Sequence, residues 1–190
     1  MSFGMKNVSF AYPAHPILKN VSFSLPTRGA VSLSGASGCG KTTVLHLLAG
    51  LLTPQSGTVT APQELSMVFQ EDRLLPWLTV RQNVEAVLFD DAAAKAAAYL
   101  DAVGLTDATD ALPHTLSGGM KRRAAIARAL AKGGKLLLLD EPFTGLDAAA
   151  RAQCADAIRQ RFSDAVILLV THQADDAELL QATPLDSIFS

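Results

Sequence analysis

Apolar residues along the chain follow two periods, and the change from one to the other marks out its elements. Val21, Phe23 and Leu25 alternate with Ser22 and Ser24, which predicts a strand over residues 21–25. Residues 5–12 alternate partially and predict a second strand, antiparallel to the first across the turn-rich stretch Pro13-Ala14-His15-Pro16. Val31 and Leu33 flank Ser32 in a third short strand; from Thr43 onward Val44, Leu45, Leu47, Leu48 and Leu51 recur at helical spacing. A strand over 57–61 follows the turn signal Pro54-Gln55-Ser56-Gly57, and 65–69 reads as a buried strand ending at Gln70. Leu136, Leu137, Leu138 and Leu139 are four consecutive leucines, the mark of a strand buried on both faces, and 165–170 is a second such run. Helices over 148–162 and 174–181 follow those two strands.

Between these stretches the pattern is helical only. Helices are predicted over 81–89, over the alanine-rich 92–103 and over 120–131, punctuated by Pro113 and by Ser117-Gly118-Gly119. Residues 71–130 therefore read as a helical subdomain inserted into an α/β core formed by 1–70 and 131–190. The fold class is α/β, with a mostly parallel sheet, an antiparallel β part at the N-terminus and the helical insertion, all in one domain.

Composition narrows the function. The 190 residues are 49% hydrophobic and 18% charged with a net charge of −2, so the chain is globular and has no long basic run to track nucleic acid. Cys39 and Cys154 are too far apart in sequence for a metal motif or a disulfide framework. No signal peptide and no membrane-spanning run of apolar residues is present, which predicts a soluble protein that can dock on a membrane protein.

The chemistry begins at Gly35-Ala36-Ser37-Gly38-Cys39-Gly40-Lys41-Thr42, which fits the phosphate-loop pattern G-x-x-x-x-G-K-[ST] between a predicted strand and a predicted helix. Its glycines let backbone N–H groups wrap an anion, and the following helix turns its positive dipole end to it. Lys41 adds a full charge for the β- and γ-phosphates, and the Thr42 hydroxyl can ligate Mg²⁺. Asp140 and Glu141 end the leucine strand, at the sheet edge where ligands bind in open α/β folds. Asp140 is assigned to the metal and Glu141 to the attacking water. His172 ends the next strand and can reach the same edge. Ser117 is a good N-cap, yet Lys121, Arg122 and Arg123 crowd the start of its helix, where the dipole disfavours cations. That conflict points either to an anion at this N-terminus in the working state or to cations that simply extend into water.

The segments GASGCGKTT, LSGGMKRRAAIARAL, LLLLDEP, the turn Gly145-Leu146-Asp147 and His172 occur in one order along nearly the whole chain. In that order they resemble the nucleotide-binding subunits of ABC transporters. The resemblance implies an ATPase binding Mg²⁺-ATP at residues 35–43, Thr43 included, with Tyr12 stacked on adenine. It implies Gln70 at the Mg²⁺ and the attacking water, and Lys41, Glu141 and His172 in catalysis. Ser117, Gly118 and Gly119 would contact the γ-phosphate of ATP on a second, head-to-tail subunit, and Asp147 would communicate across that interface. Membrane permease subunits are the implied partners, with a substrate-binding protein acting through them, and the implied location is peripheral, on the cytoplasmic face of a bacterial inner membrane. Residues 68–77, VFQEDRLLPW, are similar to importers for nitrate, sulfonates, taurine and thiamine-precursor pyrimidines; Leu74, Leu75, Trp77 and Leu78 read equally as subdomain core or as a docking surface. Met120 departs from the family's usual glutamine. Residues 183–190 are too few for the further strands and helix with which family members usually continue.

Overall fold

The computed structural model describes residues 2–13 and 15–185. One sheet joins β1 (Gly4–Tyr12), β2 (His15–Ser24) and β4 (Ser56–Thr60) in the order β2-β1-β4, with both pairings antiparallel. The other joins β3 (Gly29–Leu33), β5 (Leu65–Val68), β6 (Leu136–Asp140), β7 (Val166–Val170) and β8 (Thr183–Pro184) in the order β5-β6-β7-β3-β8, parallel throughout. Around them lie α1 (Lys41–Leu48), α2 (Val80–Glu85), α3 (Ala92–Ala102), α4 (Gly118–Lys132), α5 (Ala148–Arg161) and α6 (Ala174–Leu179). Described residues of 71–130 form helices and turns and no strand, inside an α/β core.

The leucine run shows why the parallel sheet holds. Leu136 and Leu138 point into one core with α1 and the antiparallel sheet, and Leu137 and Leu139 into the other with α3, α4 and α5. Each such side chain contributes about 1.5–3 kcal/mol by leaving water. Val166 and Leu168 against Ile167 and Leu169 repeat the division on β7. Because β3, β5, β6 and β7 run parallel, their carboxyl ends lie along one edge. The phosphate loop leaves β3 there, Gln70 lies two residues past β5, Asp140 closes β6, and His172 follows β7.

Several boundaries differ from the sequence-based expectation. β2 begins at His15, inside the predicted turn, and carries Pro16 opposite Ala11. It is an edge strand, where a residue without N–H is tolerated. α2 starts one residue earlier than predicted, on a capping box between Thr79 and Gln82, and stops at Glu85. Bonds from Val87 N–H to Val84 and from Leu88 N–H to Glu85 tighten its end into a turn, and Phe89 is 93% exposed. α6 likewise stops at Leu179 instead of 181. Thr183 and Pro184 do supply a strand, β8, beside Val31 and Ser32; the remaining residues 186–190 of the C-terminal stretch lie outside the described residues. Leu74 packs against the helical core and Leu75 and Leu78 are half-buried, whereas Trp77 is 72% exposed and stands outside that core.

Candidate active site

The first turn of α1 has Gly40 as its N-cap, at φ 108°. A Cβ there would lie 2.7 Å from Ile17 Cγ2 and 2.9 Å from Leu18 Cδ2, so both backbone and space require glycine. Lys41 is buried and donates from Nζ to the carbonyls of Gly35 (2.8 Å) and Ala36 (2.9 Å). The lysine thus ties the loop back on itself and fixes where its charge sits.

A cleft of about 240 Å³ lies over this loop. Ser37, Gly38, Gly40, Lys41, Thr42, Thr43, Gln70, Asp140, Glu141 and His172 all line it, so four strand ends deliver the predicted residues to one place. Ile17 and Val170 line it too, and no local pattern marks either as a site residue. Gly35, Ala36 and Cys39 belong to the loop without lining the cleft. Tyr12 also stands outside it, 43% exposed and edge-on to Phe10 with centroids 5.0 Å apart.

Asp140 is 2% exposed, and burial pushes its carboxyl above the ordinary value, against the pull of the Thr42 hydroxyl and the charges of His46, Lys41 and Arg122. Burial, then Arg73, hold His46 below its ordinary value. Glu141 has φ 49°, a left-handed conformation that costs a non-glycine residue on the order of 1 kcal/mol. Its N–H donates to Val170 at 2.9 Å, which locks the acid at the sheet edge. Glu141 Oε1 is 3.4 Å from His172 Nε2, longer than a hydrogen bond. Asp140 Oδ2 and Glu141 Oε1 are buried oxygens without a hydrogen-bond partner. The orphaned Asp140 oxygen, on a carboxyl hydrogen-bonded by Thr42, fits a cation. Among the described residues no group of three His, Cys, Asp or Glu side chains can hold a metal alone. A cation here would therefore need further ligands, as Mg²⁺ takes them from phosphate oxygens.

Ser117, Gly118, Gly119 and Asp147 are not in this cleft. Ser117 Oγ accepts from Met120 N–H at 3.2 Å and caps α4, while Asp147 Oδ1 accepts from Ala150 N–H at 2.8 Å and caps α5. A Cβ on Gly119 would stand 3.2 Å from the Gly145 carbonyl, so the two turns pack together. Two of the cations after Ser117 have protein partners that the sequence does not show. Arg122 holds carbonyls of Phe69 and Gln70, and Arg123 those of Val103 and Gly104. The dipole conflict read from the sequence is thus offset within the chain for two of its three cations.

A glycine cradle closed by Lys41, two acids at the end of a buried strand and a histidine on the next define a nucleoside-triphosphatase of the P-loop class. The "ABC transporter" family model matches residues 18–144. The aliphatic sulfonates import ATP-binding protein SsuB 1 of Paracoccus denitrificans (strain Pd 1222) is 44% identical over 181 residues, covering 93% of this chain and 75% of that protein. The nitrate import ATP-binding protein NrtC of Synechococcus elongatus (strain ATCC 33912 / PCC 7942 / FACHB-805) is 45% identical over 86% of this chain and 28% of its own length. Among solved structures, a dimeric post-hydrolysis state of the ATP-binding cassette MJ0796 bound to ADP and Pi superposes with a TM-score of 0.85 and 27% identity, covering 94% of this chain and 91% of that one. The chain belongs to the ABC transporter family, as one of its ATP-binding, ATP-hydrolysing subunits.

Proposed function

We propose that the chain powers an importer, hydrolysing ATP as one of a head-to-tail pair of ATP-binding subunits beneath membrane permease subunits that a substrate-binding protein supplies. The observation that carries the reading is the meeting of Lys41, Thr42, Gln70, Asp140, Glu141 and His172 in one cleft. The import role rests on the relatives, and the pairing on the dimeric neighbour. No helix among the described residues is long and apolar enough to cross a membrane. The chain is assigned a peripheral place at the cytoplasmic face of a bacterial inner membrane, and the transport path to the permease. An apolar groove lined by Leu51, Met67, Phe69, Leu75 and Val87, beside the loop of Gln70, is the surface assigned to that partner.

The loop 35–43 holds the triphosphate of ATP through its N–H groups, the α1 N-terminus and Lys41. Tyr12 covers the base. Thr42 and Asp140, with Gln70 beside them, would hold Mg²⁺, which when bound neutralises charge on the β- and γ-phosphates. Glu141 takes a proton from the attacking water at its carboxylate, and His172 orients that carboxylate and the terminal phosphate. Ser117, Gly118 and Gly119 of one subunit close over the γ-phosphate held by the other, with Asp147 at the same interface. Catalysis is positioning and charge stabilisation, and closing and opening of the pair drives the permease.

Replacing Glu141 separates binding from chemistry. Glu141→Gln keeps the shape and removes the proton acceptor, so it should hold ATP, accumulate as a dimer in size-exclusion chromatography and lose steady-state phosphate release. Wild-type turnover by that variant would remove Glu141 from its role.

A further inference from the structure

We propose that Arg122 is a positioning residue for Gln70, tying the orientation of that side chain to the helix that begins at Ser117. The proposal rests on the role given to Gln70 above. Arg122 is only 6% exposed. Its Nη1 donates to the Phe69 carbonyl at 2.6 Å, its Nη2 donates to the Gln70 carbonyl, and its Nε lies 3.3 Å from Asp72 Oδ1. One planar guanidinium therefore grips the carbonyls on both sides of the Gln70 Cα, and the carboxylate two residues on faces it as a counter-charge, without a hydrogen bond to Nε. Fixing two successive peptide planes fixes the direction of the bond between them that carries the side chain, and Gln70 lines the cleft.

The grip is needed because the sheet gives none. β5 ends at Val68, and beyond it the backbone carbonyls lose their ladder partners. Arg128, two turns further along α4, takes two more: its Nη1 donates to the Arg73 carbonyl at 2.8 Å and its Nη2 to the Asp72 carbonyl at 3.1 Å. Arg73 itself sits at φ 46°, a conformation that persists only when its surroundings hold it. The loop 69–73 is thus fastened to α4 by side chains and not to the sheet it leaves. Ser117, the N-cap of α4, is five residues before Arg122 on the same rigid helix. Any displacement of the α4 N-terminus is handed to Gln70 through this fork.

A lysine at position 122 keeps the charge but has one nitrogen, which cannot hold two carbonyls in a fixed plane. In the full chain, Arg122→Lys should lower kcat for ATP about tenfold, leave KM within twofold and leave ATP affinity at equilibrium unchanged. In a Gln70→Ala background the same change should lower kcat less than twofold further, because there is no side chain left to aim. Asp72→Asn, which keeps the arginine and both carbonyl bonds, serves if Arg122→Lys folds poorly. It should lower kcat two- to threefold, again only when Gln70 is present. Equal losses with and without Gln70, or wild-type kcat for both variants while Gln70→Ala is impaired, would overturn the positioning role. Wild-type turnover by Gln70→Ala itself would instead overturn the role of Gln70.

Discussion

Asp176 offers a quantitative test of how the His172 turn is held. It sits in the first turn of α6 with its side chain 2% exposed. Oδ2 accepts from the Thr171 hydroxyl at 2.7 Å, and Thr171 Oγ1 in turn accepts from Gln173 N–H at 3.0 Å, so His172 is spanned by one chain of bonds. Oδ1 lies 3.3 Å from Arg151 Nη1, on the helix that Asp147 caps. Asp176→Ala removes a hydrogen bond to a charged group, worth about 1.5–3 kcal/mol. It also leaves Arg151 without its counter-charge. Breaking a fully buried pair costs about 3–5 kcal/mol. The Arg151 side chain keeps 20% of its surface in water, so about 1–2 kcal/mol is the appropriate share here. The total is about 3 kcal/mol, or a fall in Tm of roughly 6–12 °C for a chain of this size. Asp176→Asn keeps an acceptor for Thr171 and should cost about half as much. Urea denaturation followed by circular dichroism measures both. ATP turnover well below the melting temperature should fall with the alanine variant, because the His172 turn loses its anchor. A cost under 1 kcal/mol for Asp176→Ala, or equal costs for the two variants, would refute the reasoning.

Asp140→Asn should stabilise the nucleotide-free protein at pH 7 while abolishing Mg²⁺-dependent hydrolysis. With its carboxyl raised in the fold, the native state holds a proton that the unfolded chain has released, so stability falls as pH rises from the ordinary carboxylate value through the folded one. Thermal melts should show the advantage of asparagine at pH 7 and its loss as the pH drops toward 4; a lower Tm for the variant at pH 7 would contradict the argument. Ser117→Ala should cost about 1 kcal/mol through the lost cap of α4. It should depress turnover far more than that, with ATP affinity of the monomer unchanged in calorimetry, and a collapse of monomer affinity would place Ser117 in its own chain's site.

What the sequence discloses follows from whether the determining contacts are local. The leucine strand β6 is legible because both its faces are buried, and the phosphate loop because its glycines answer a local backbone demand at Gly40. β2 is legible only over its second half. In its first half only Leu18 is buried, and register shifts interrupt its pairing with β1, so no clean alternation survives from His15 to Asn20. Ile17 reaches the cleft from that illegible half. Asp175 and Asp176 look alike in sequence, yet the first is exposed and the second is locked to Arg151. Arg122 is locally anomalous, and the sequence signals only the anomaly, since its partners lie 52 and 53 residues earlier in the chain.

These non-local contacts share a physical origin. A parallel sheet satisfies backbone groups only as far as its strands run, and chemistry at its carboxyl edge begins where that pairing stops. Loops there need donors from elsewhere, placed rigidly enough to hold a side chain in position. Arginine suits this because its planar fork meets two acceptors at once and stays charged when buried. Arg122 and Arg128 do this for the loop of Gln70, and Arg151 does it through Asp176 for the turn of His172. Each arginine stands on a helix whose N-terminal turn, capped by Ser117 on α4 or Asp147 on α5, is the one proposed above to face the partner subunit. On the proposed head-to-tail pairing, the residues that aim the chemistry in one chain would be rooted in the helices that meet the other. On that arrangement, loosening an arginine should slow turnover without weakening the grip on ATP, because the phosphate cradle at Lys41 is fastened independently to its own loop.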